Sequence, residues 1–190
     1  MINKIEHLKK FLKKKPVIAA FRNKQDMKKA LKSDAIALFV LGGDISDLPQ
    51  VMDQAKENDK LVFLHIDLIK GIAADKAGLT YLADNNLCDG IVTTRSNLVK
   101  KAQKLGLMAI QRLFLLDSAA LHSGENMIKN NNPDAIEILP GIAAPYFLDH
   151  MSKKKQCPVI AGGLIREEKE VEDLLQKGVL AVSSSEASLW

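Results

Sequence analysis

Eight short apolar runs recur along this chain, each followed by a polar stretch of helical period, and that alternation restricts the fold more than anything else in it. The runs fall at 17–21, 36–41, 61–66, 90–93, 107–113, 135–139, 159–161 and 179–182. Candidate helices lie between them at 24–32, 47–58, 75–85, 96–105, 117–130, 145–152 and 167–177. Strands that alternate with helices pair in parallel, because a helical crossover returns the chain to the same end of the sheet. Helix punctuation agrees with this order. Ser96 and Asp117 are candidate N-caps, Pro145 suits a first helical position, and Gly106 and Gly178 follow helices where a left-handed residue is wanted.

Eight such units predict a compact (β/α)8 TIM-type barrel of the α/β class rather than an open, doubly wound sheet. The chain's 190 residues fall short of the roughly 250 usual for that fold, so there is no room for an inserted domain. The helix after the eighth strand is predicted to be a single turn or missing, with Leu189 and Trp190 anchoring the end of the chain. The reading is one domain over 1–190, in which 1–15 form an N-terminal amphipathic helix and 16–190 the barrel. Ile2, Ile5, Leu8 and Leu12 recur at steps of three or four, and Pro16 stops the segment.

Charge is concentrated in that first helix. Its six lysines, Lys4, Lys9, Lys10, Lys13, Lys14 and Lys15, face only Glu6, so the rest of a chain of net charge +4 sums to −1. A basic tract on a near-neutral body attracts phosphate polyanions, and it equally well forms a solvated lysine face closing one end of the fold. Further lysine clusters lie at Lys100 to Lys104 and Lys153 to Lys155. Cys88 and Cys157 have neither CxxC spacing nor a nearby His, so they read as reduced, buried thiols, with no disulfide framework and no metal site. No apolar run approaches the ~20 residues of a membrane helix, and the N-terminus lacks a signal-peptide core, which leads us to expect a cytoplasmic protein.

Polar residues cluster at the C-terminal ends of the strands, where barrels of this kind hold their ligands. His65 and Asp67 end the third run, Thr93 and Arg95 the fourth, Gln111 and Arg112 lie in the fifth, Glu137 in the sixth and Ser183 in the eighth. Gly162, Gly163 and Arg166 follow the seventh run, and Ser183, Ser184 and Ser185 the eighth. Those two loops commonly form a phosphate site, because glycine lets backbone N–H groups approach an anion closely. Gly42-Gly43-Asp44 after the second run reads either as another ligand loop or as a turn.

Taken in order, Pro-Val-Ile-Ala-Ala-Phe-Arg-Asn (16–23), His-Ile-Asp-Leu (65–68), Gly-Ile-Val-Thr-Thr-Arg-Ser-Asn (90–97), Ile-Gln-Arg-Leu-Phe-Leu-Leu-Asp-Ser (110–118), Glu-Ile-Leu-Pro-Gly (137–141) and Ala-Gly-Gly-Leu-Ile-Arg (161–166) resemble the glycerol-3-phosphate-responsive antiterminator family over nearly the whole chain. The resemblance implies a barrel fold and a bacterial regulator of glycerol uptake. With glycerol 3-phosphate bound as effector, such a regulator acts on leader mRNA, preventing early termination and favouring message stability. On that basis Gly162, Gly163, Arg166, Ser183, Ser184 and Ser185 are expected at the phosphate, with His65, Asp67, Thr93, Arg95, Gln111 and Glu137 around the glycerol end. RNA contacts are expected from Lys9, Lys10, Lys13, Lys14, Lys15, Lys100 and Lys101, since few aromatics are available for base stacking. A homodimer would double that basic footprint. No catalytic residue or cofactor is expected. Two other classes remain. One is a barrel enzyme such as a metal-dependent phosphodiesterase using Asp44, Asp67 and Glu137, or an isomerase; the other is a small-molecule sensor acting through a protein partner.

Overall fold

A computed structural model describes residues 4–151 and 157–190. Eight parallel strands pair in chain order: β1 (Val17–Phe21), β2 (Ala37–Val40), β3 (Leu61–His65), β4 (Gly90–Thr93), β5 (Met108–Phe114), β6 (Ala135–Leu139), β7 (Val159–Gly162) and β8 (Ala181–Ser184). Because β8 returns to pair with β1, in register Ile18 to Ser183, the sheet is a closed barrel. Helix α1 (Lys4–Leu12) precedes it. Outside run α2 (Lys24–Lys32), α3 (Leu48–Glu57), α4 (Lys76–Asp84), α5 (Ser96–Lys104), α6 (Ser118–Asn131), α7 (Ala144–His150) and α8 (Glu168–Gln176). A single 3-10 turn, Ala187–Leu189, stands in place of an eighth outer helix, as the shortness of the last unit predicts. No helix among the described residues is long and apolar enough to cross a membrane.

The two-residue pleat sorts each strand between two cores. Ile18, Ala37, Phe39, Phe63, Val92, Met108, Ile110, Ala135, Ile160 and Ala181 fill the barrel interior, where Phe39 and Phe63 meet edge to face at 5.7 Å. Gly90 is forced there, since a Cβ would lie 2.8 Å from the Phe63 ring. The alternate residues pack outward under the helices. Leu8 and Leu12 of α1 join the interior cluster, so the helix lies across the N-terminal end of the barrel as a plug. Ile2 lies outside the described residues, as do the Ile5 and Lys4 side chains, the helix end expected at Ser152, and Lys153 to Lys155.

That same end is tied by side chains the sequence pattern does not single out. Asp89 and Asp134, each just before a strand, accept the Val62 and Ala109 amides of the preceding strand at 2.8 and 2.7 Å. Buried Lys60 donates to Ser33 O and Ala35 O at 2.7 and 2.6 Å. Several expected boundaries move. Asp117 caps α6 as expected, accepting from Ala120 N at 2.8 Å, but Ser96 is the first residue of α5 and Arg95 occupies its cap position. Thr93, whose hydroxyl accepts Arg95 N at 3.1 Å, fixes the turn leading into the helix, and among the described residues no side chain accepts at the cap. Strand β8 runs two residues later than expected, which places Ser183 and Ser184 within it.

Candidate functional site

The same alternation decides which polar groups reach the barrel axis at its C-terminal mouth. Counting on from the interior residues, His65 follows Phe63, Arg112 follows Ile110, Glu137 follows Ala135, Gly162 follows Ile160 and Ser183 follows Ala181. These side chains meet. Arg112 Nε donates to Glu137 Oε2 at 2.6 Å, and Ser183 Oγ donates to Glu137 Oε1 at 2.6 Å. Both members of the ion pair are buried, so each hydrogen bond replaces water lost on folding. Gly162 makes this possible: a Cβ there would stand 2.6 Å from Ser183 Oγ and 2.7 Å from Glu137 Oε1. Burial pushes the His65 imidazole down to about 4, and the neighbouring Arg112 charge acts in the same direction, with Arg22 adding a little. His65 is therefore neutral at pH 7, with a buried Nδ1 that has no hydrogen-bond partner among the described residues.

Above this layer opens a cleft of about 530 Å3, bordered by Arg22, Asn23, Arg112, Gly163, Arg166 and Ser185, with Glu137 and Ser183 at its floor. The loop after β7 turns through two successive residues of positive φ, Gly163 at +78° and Leu164 at +62°. Glycine takes that conformation freely, whereas a leucine is held in it by its surroundings. Ser184 supplies that hold. Its hydroxyl donates to Ile165 O at 2.8 Å and accepts Glu186 N at 3.0 Å, binding the β7 loop to the β8 loop. Trp190 Nε1 donates to Ser184 O at 2.8 Å, so the last residue braces the same corner. The amides of Gly163, Leu164 and Ser185 take no part in these turn and cap hydrogen bonds among the described residues. Arg22 and Arg166 are exposed at the cleft edge. The walls thus offer an anion both cationic side chains and backbone donors, with Asp26 and Glu186 as the acidic exceptions.

The polar residues expected in one mouth fall into two groups. Gly163, Arg166, Glu137, Ser183, Ser184 and Ser185 border the cleft, and Gly162 shapes its floor. A second group is centred on Asp67, in a 3-10 turn after β3. Thr93 Oγ1 donates to Asp67 Oδ2 at 3.0 Å, and Arg95 Nε lies 2.7 Å from Oδ1. His65 Nδ1, 3.8 Å from Asp67, stands between the groups. Thr93 and Gln111 share the outward faces of Ile91 and Ala109, under the helices, and Gln111 Nε2 donates to Thr93 O at 3.1 Å. Gly43, at φ +110°, donates no side chain to the cleft; its loop pairs with Lys70 through Lys70 N to Gly43 O at 2.9 Å. Among the described residues no three His, Cys, Asp or Glu side chains are grouped to hold a metal ion.

Arg22 and Asn23 border the cleft without having been expected in it, and Arg112, read as a polar strand-end residue but not assigned to the ligand, borders it too. The signal for both arginines is parity: Arg22 follows Ile18 and Ala20 by twos, and Arg112 follows Met108 and Ile110. Of the lysines expected to meet RNA, Lys9 pairs with Glu6 at 3.2 Å and Lys15 with Asp34. Lys10, Lys13, Lys14 and Lys100 are exposed and Lys101 is half-buried. All lie away from the cleft.

Residues 17–190 match the family model described as glycerol-3-phosphate responsive antiterminator. A crystal structure of a glycerol uptake operon antiterminator regulatory protein from Listeria monocytogenes is 37% identical, with a TM-score of 0.84 over 92% of this chain and 94% of that one. An antiterminator-related protein from Thermotoga maritima is 30% identical, with a TM-score of 0.82 over 93% of this chain and 98% of its own. The Escherichia coli K12 protein YgcP is 32% identical over 179 residues, 94% of this chain and 93% of its length.

Proposed function

Because this chain belongs to the glycerol-3-phosphate responsive antiterminator family, we propose that it is a cytoplasmic, non-enzymatic regulator that binds glycerol 3-phosphate in the mouth of its barrel and then acts on leader mRNA of a glycerol-utilisation operon. Bound in this way it promotes antitermination and stabilises the message. One observation carries the effector reading: three arginines and the free-standing amides of the Gly163 turn converge on one cleft with a buried carboxylate at its floor. An anionic head group fits the cationic walls and the N–H groups of Gly163, Leu164 and Ser185, with Gly162, Ser183 and Ser184 fixing the shape of that corner and Arg166 at its rim. Glu137, its charge balanced by Arg112 and each oxygen already accepting one hydrogen bond, keeps lone pairs with which it accepts from a hydroxyl of the glycerol end. Asp67, Thr93, Arg95 and Gln111 support that end indirectly through His65 and the strand ends. Against an enzyme of the metal-dependent phosphodiesterase type stands the occupation of its carboxylates: Glu137 already accepts from Arg112 and Ser183, and Asp67 is held by Thr93 and Arg95.

Differential melting tests the effector. Glycerol 3-phosphate at 100 times its dissociation constant adds about 2.7 kcal/mol to stability and raises Tm accordingly. We expect that shift from glycerol 3-phosphate, a smaller one from inorganic phosphate, and none from glycerol at equal concentration. Replacing Arg22 with Gln should reduce it. Equal shifts from glycerol 3-phosphate and sulfate would remove the effector assignment.

A further inference from the structure

We propose that the RNA is held on the N-terminal end of the barrel, opposite the effector cleft, by a lysine field that α1 shares with the last turns of the outer helices. This rests on the reading above and adds to it a surface and a direction. The apolar stripe of α1 is spent inside the barrel, where Leu8 and Leu12 are 3% and 0% exposed. Its other side faces outward with Lys10, Lys13 and Lys14 exposed, apart from the pairs that hold Lys9 and Lys15. Each outer helix runs antiparallel to the strands, so its last turn ends at this same face. Lys32 of α2, Lys101 and Lys104 of α5, and Lys177 behind α8 therefore add to the field. Lys15 reaching Asp34 places the end of α2 beside the plug, and Gln103 reaching Asn132 O ties the end of α5 to that of α6 on the same face. Of the carboxylates here, Asp34 is paired with Lys15, and Asp89 and Asp134 accept the Val62 and Ala109 amides, while Asp84 of α4 and Asp149 of α7 are exposed. Glu57 and Asp59 interrupt the field beside Lys56, which centres it on α1 and α5.

The opposite rim is mixed in sign, with Lys24 and Lys76 at helix starts, Lys70 in a loop, and Asp47 paired to Lys24 at 2.8 Å. Helix starts there carry Asp26, Asp47, Asp75, Asp117 and Glu168, the arrangement that helix dipoles favour. A polyphosphate strand meets charges of both signs on that rim outside the cleft, whereas the outward side of α1 presents mainly lysines. An anionic membrane is a poorer fit, because an amphipathic helix anchors by burying its apolar face in lipid, and this face is already buried in protein. It follows that effector and RNA do not touch, and that the message between them runs along the strands.

Fluorescence anisotropy of a labelled operon-leader transcript, measured with the full chain with and without glycerol 3-phosphate across a salt series, tests this. Neutralising Lys10, Lys13 and Lys14 together to Gln should weaken binding about tenfold or more and lower the salt slope by about 2, since each lost phosphate contact on single strands removes about 0.7. Neutralising Lys24, Lys70 and Lys76 at the other end, an equal change in net charge, should alter affinity less than about twofold. The effector-induced melting shift checks that each variant is folded. If the α1 triple does not fold, Lys101→Gln with Lys104→Gln carries the same prediction with a slope change of about 1.4. Equal weakening by both triples, or greater weakening by the mouth triple, overturns the placement while leaving an RNA-binding protein. Absence of any salt-sensitive complex from the wild type overturns the functional reading and this placement together.

Discussion

Gln111 and Arg112 are neighbours on β5, yet the pleat sends one under the helices and the other to the barrel axis. Composition alone offers both as site residues; parity counted from Met108 separates them. The same count brings in Arg22 and explains why Thr93 lies on the far side of the sheet from the cleft. His65 gives this layer a measurable pH signature. Its folded-state value of about 4 lies below the ordinary 6.5, because burial and Arg112 both disfavour the imidazolium. The unfolded chain therefore takes up the proton first. Stability attributable to His65 is full above pH 6.5 and declines as pH falls toward 4, by about 1.4 kcal/mol per unit. Urea unfolding should show the wild type losing about 2 kcal/mol more between pH 6.5 and 5 than His65→Gln. Parallel pH profiles for the two proteins would refute a buried neutral imidazole.

At the scale of elements, the strands were legible because each combines an apolar run with flanking turn residues, and β1, β4 and β6 lie where the runs place them. Ends were less legible. Nothing local in the sequence shows that Thr93 will fix the turn into α5 and leave Ser96 inside the helix, because that depends on where Asp67 brings its carboxylate from the neighbouring strand end. Nor does local pattern reveal that α1 plugs the barrel. Its stripe requires only some apolar surface, and the interior residues at the strands' starts, Ile18, Ala37, Ala135 and Ala181, provide it by being small or aliphatic. Leu12 is completely buried in that plug. Leu12→Ala should cost about 2–5 kcal/mol in denaturant unfolding, as a large-to-small change does where the site cannot collapse. A loss below about 0.5 kcal/mol, the range of surface substitutions, would mean that α1 is not packed there in solution.

For the whole molecule, the eightfold repeat of strand and helix was enough to name the barrel, since closure is the simplest way to pair eight sequential parallel strands. What the repeat leaves open is how polar residues divide around the mouth, because side chains far apart in the chain meet only once the ring is shut. Glu137 and Ser183 show this, joined across 46 positions. One closed ring with interior and outer cores sharing every strand should unfold as one unit, in agreement with a single domain. Calorimetry is expected to give a single transition with equal calorimetric and van't Hoff enthalpies. Two resolved transitions would divide it.

Ring closure between β1 and β8 also has a consequence during synthesis. The first strand emerges from the ribosome with one edge unmatched and keeps it until the final strand arrives. A translation product that stops before Ala181 exposes two naked strand edges, and such edges recruit other chains. Stalled synthesis therefore yields material for proteases and chaperones, and the ring shuts only once β8 has arrived.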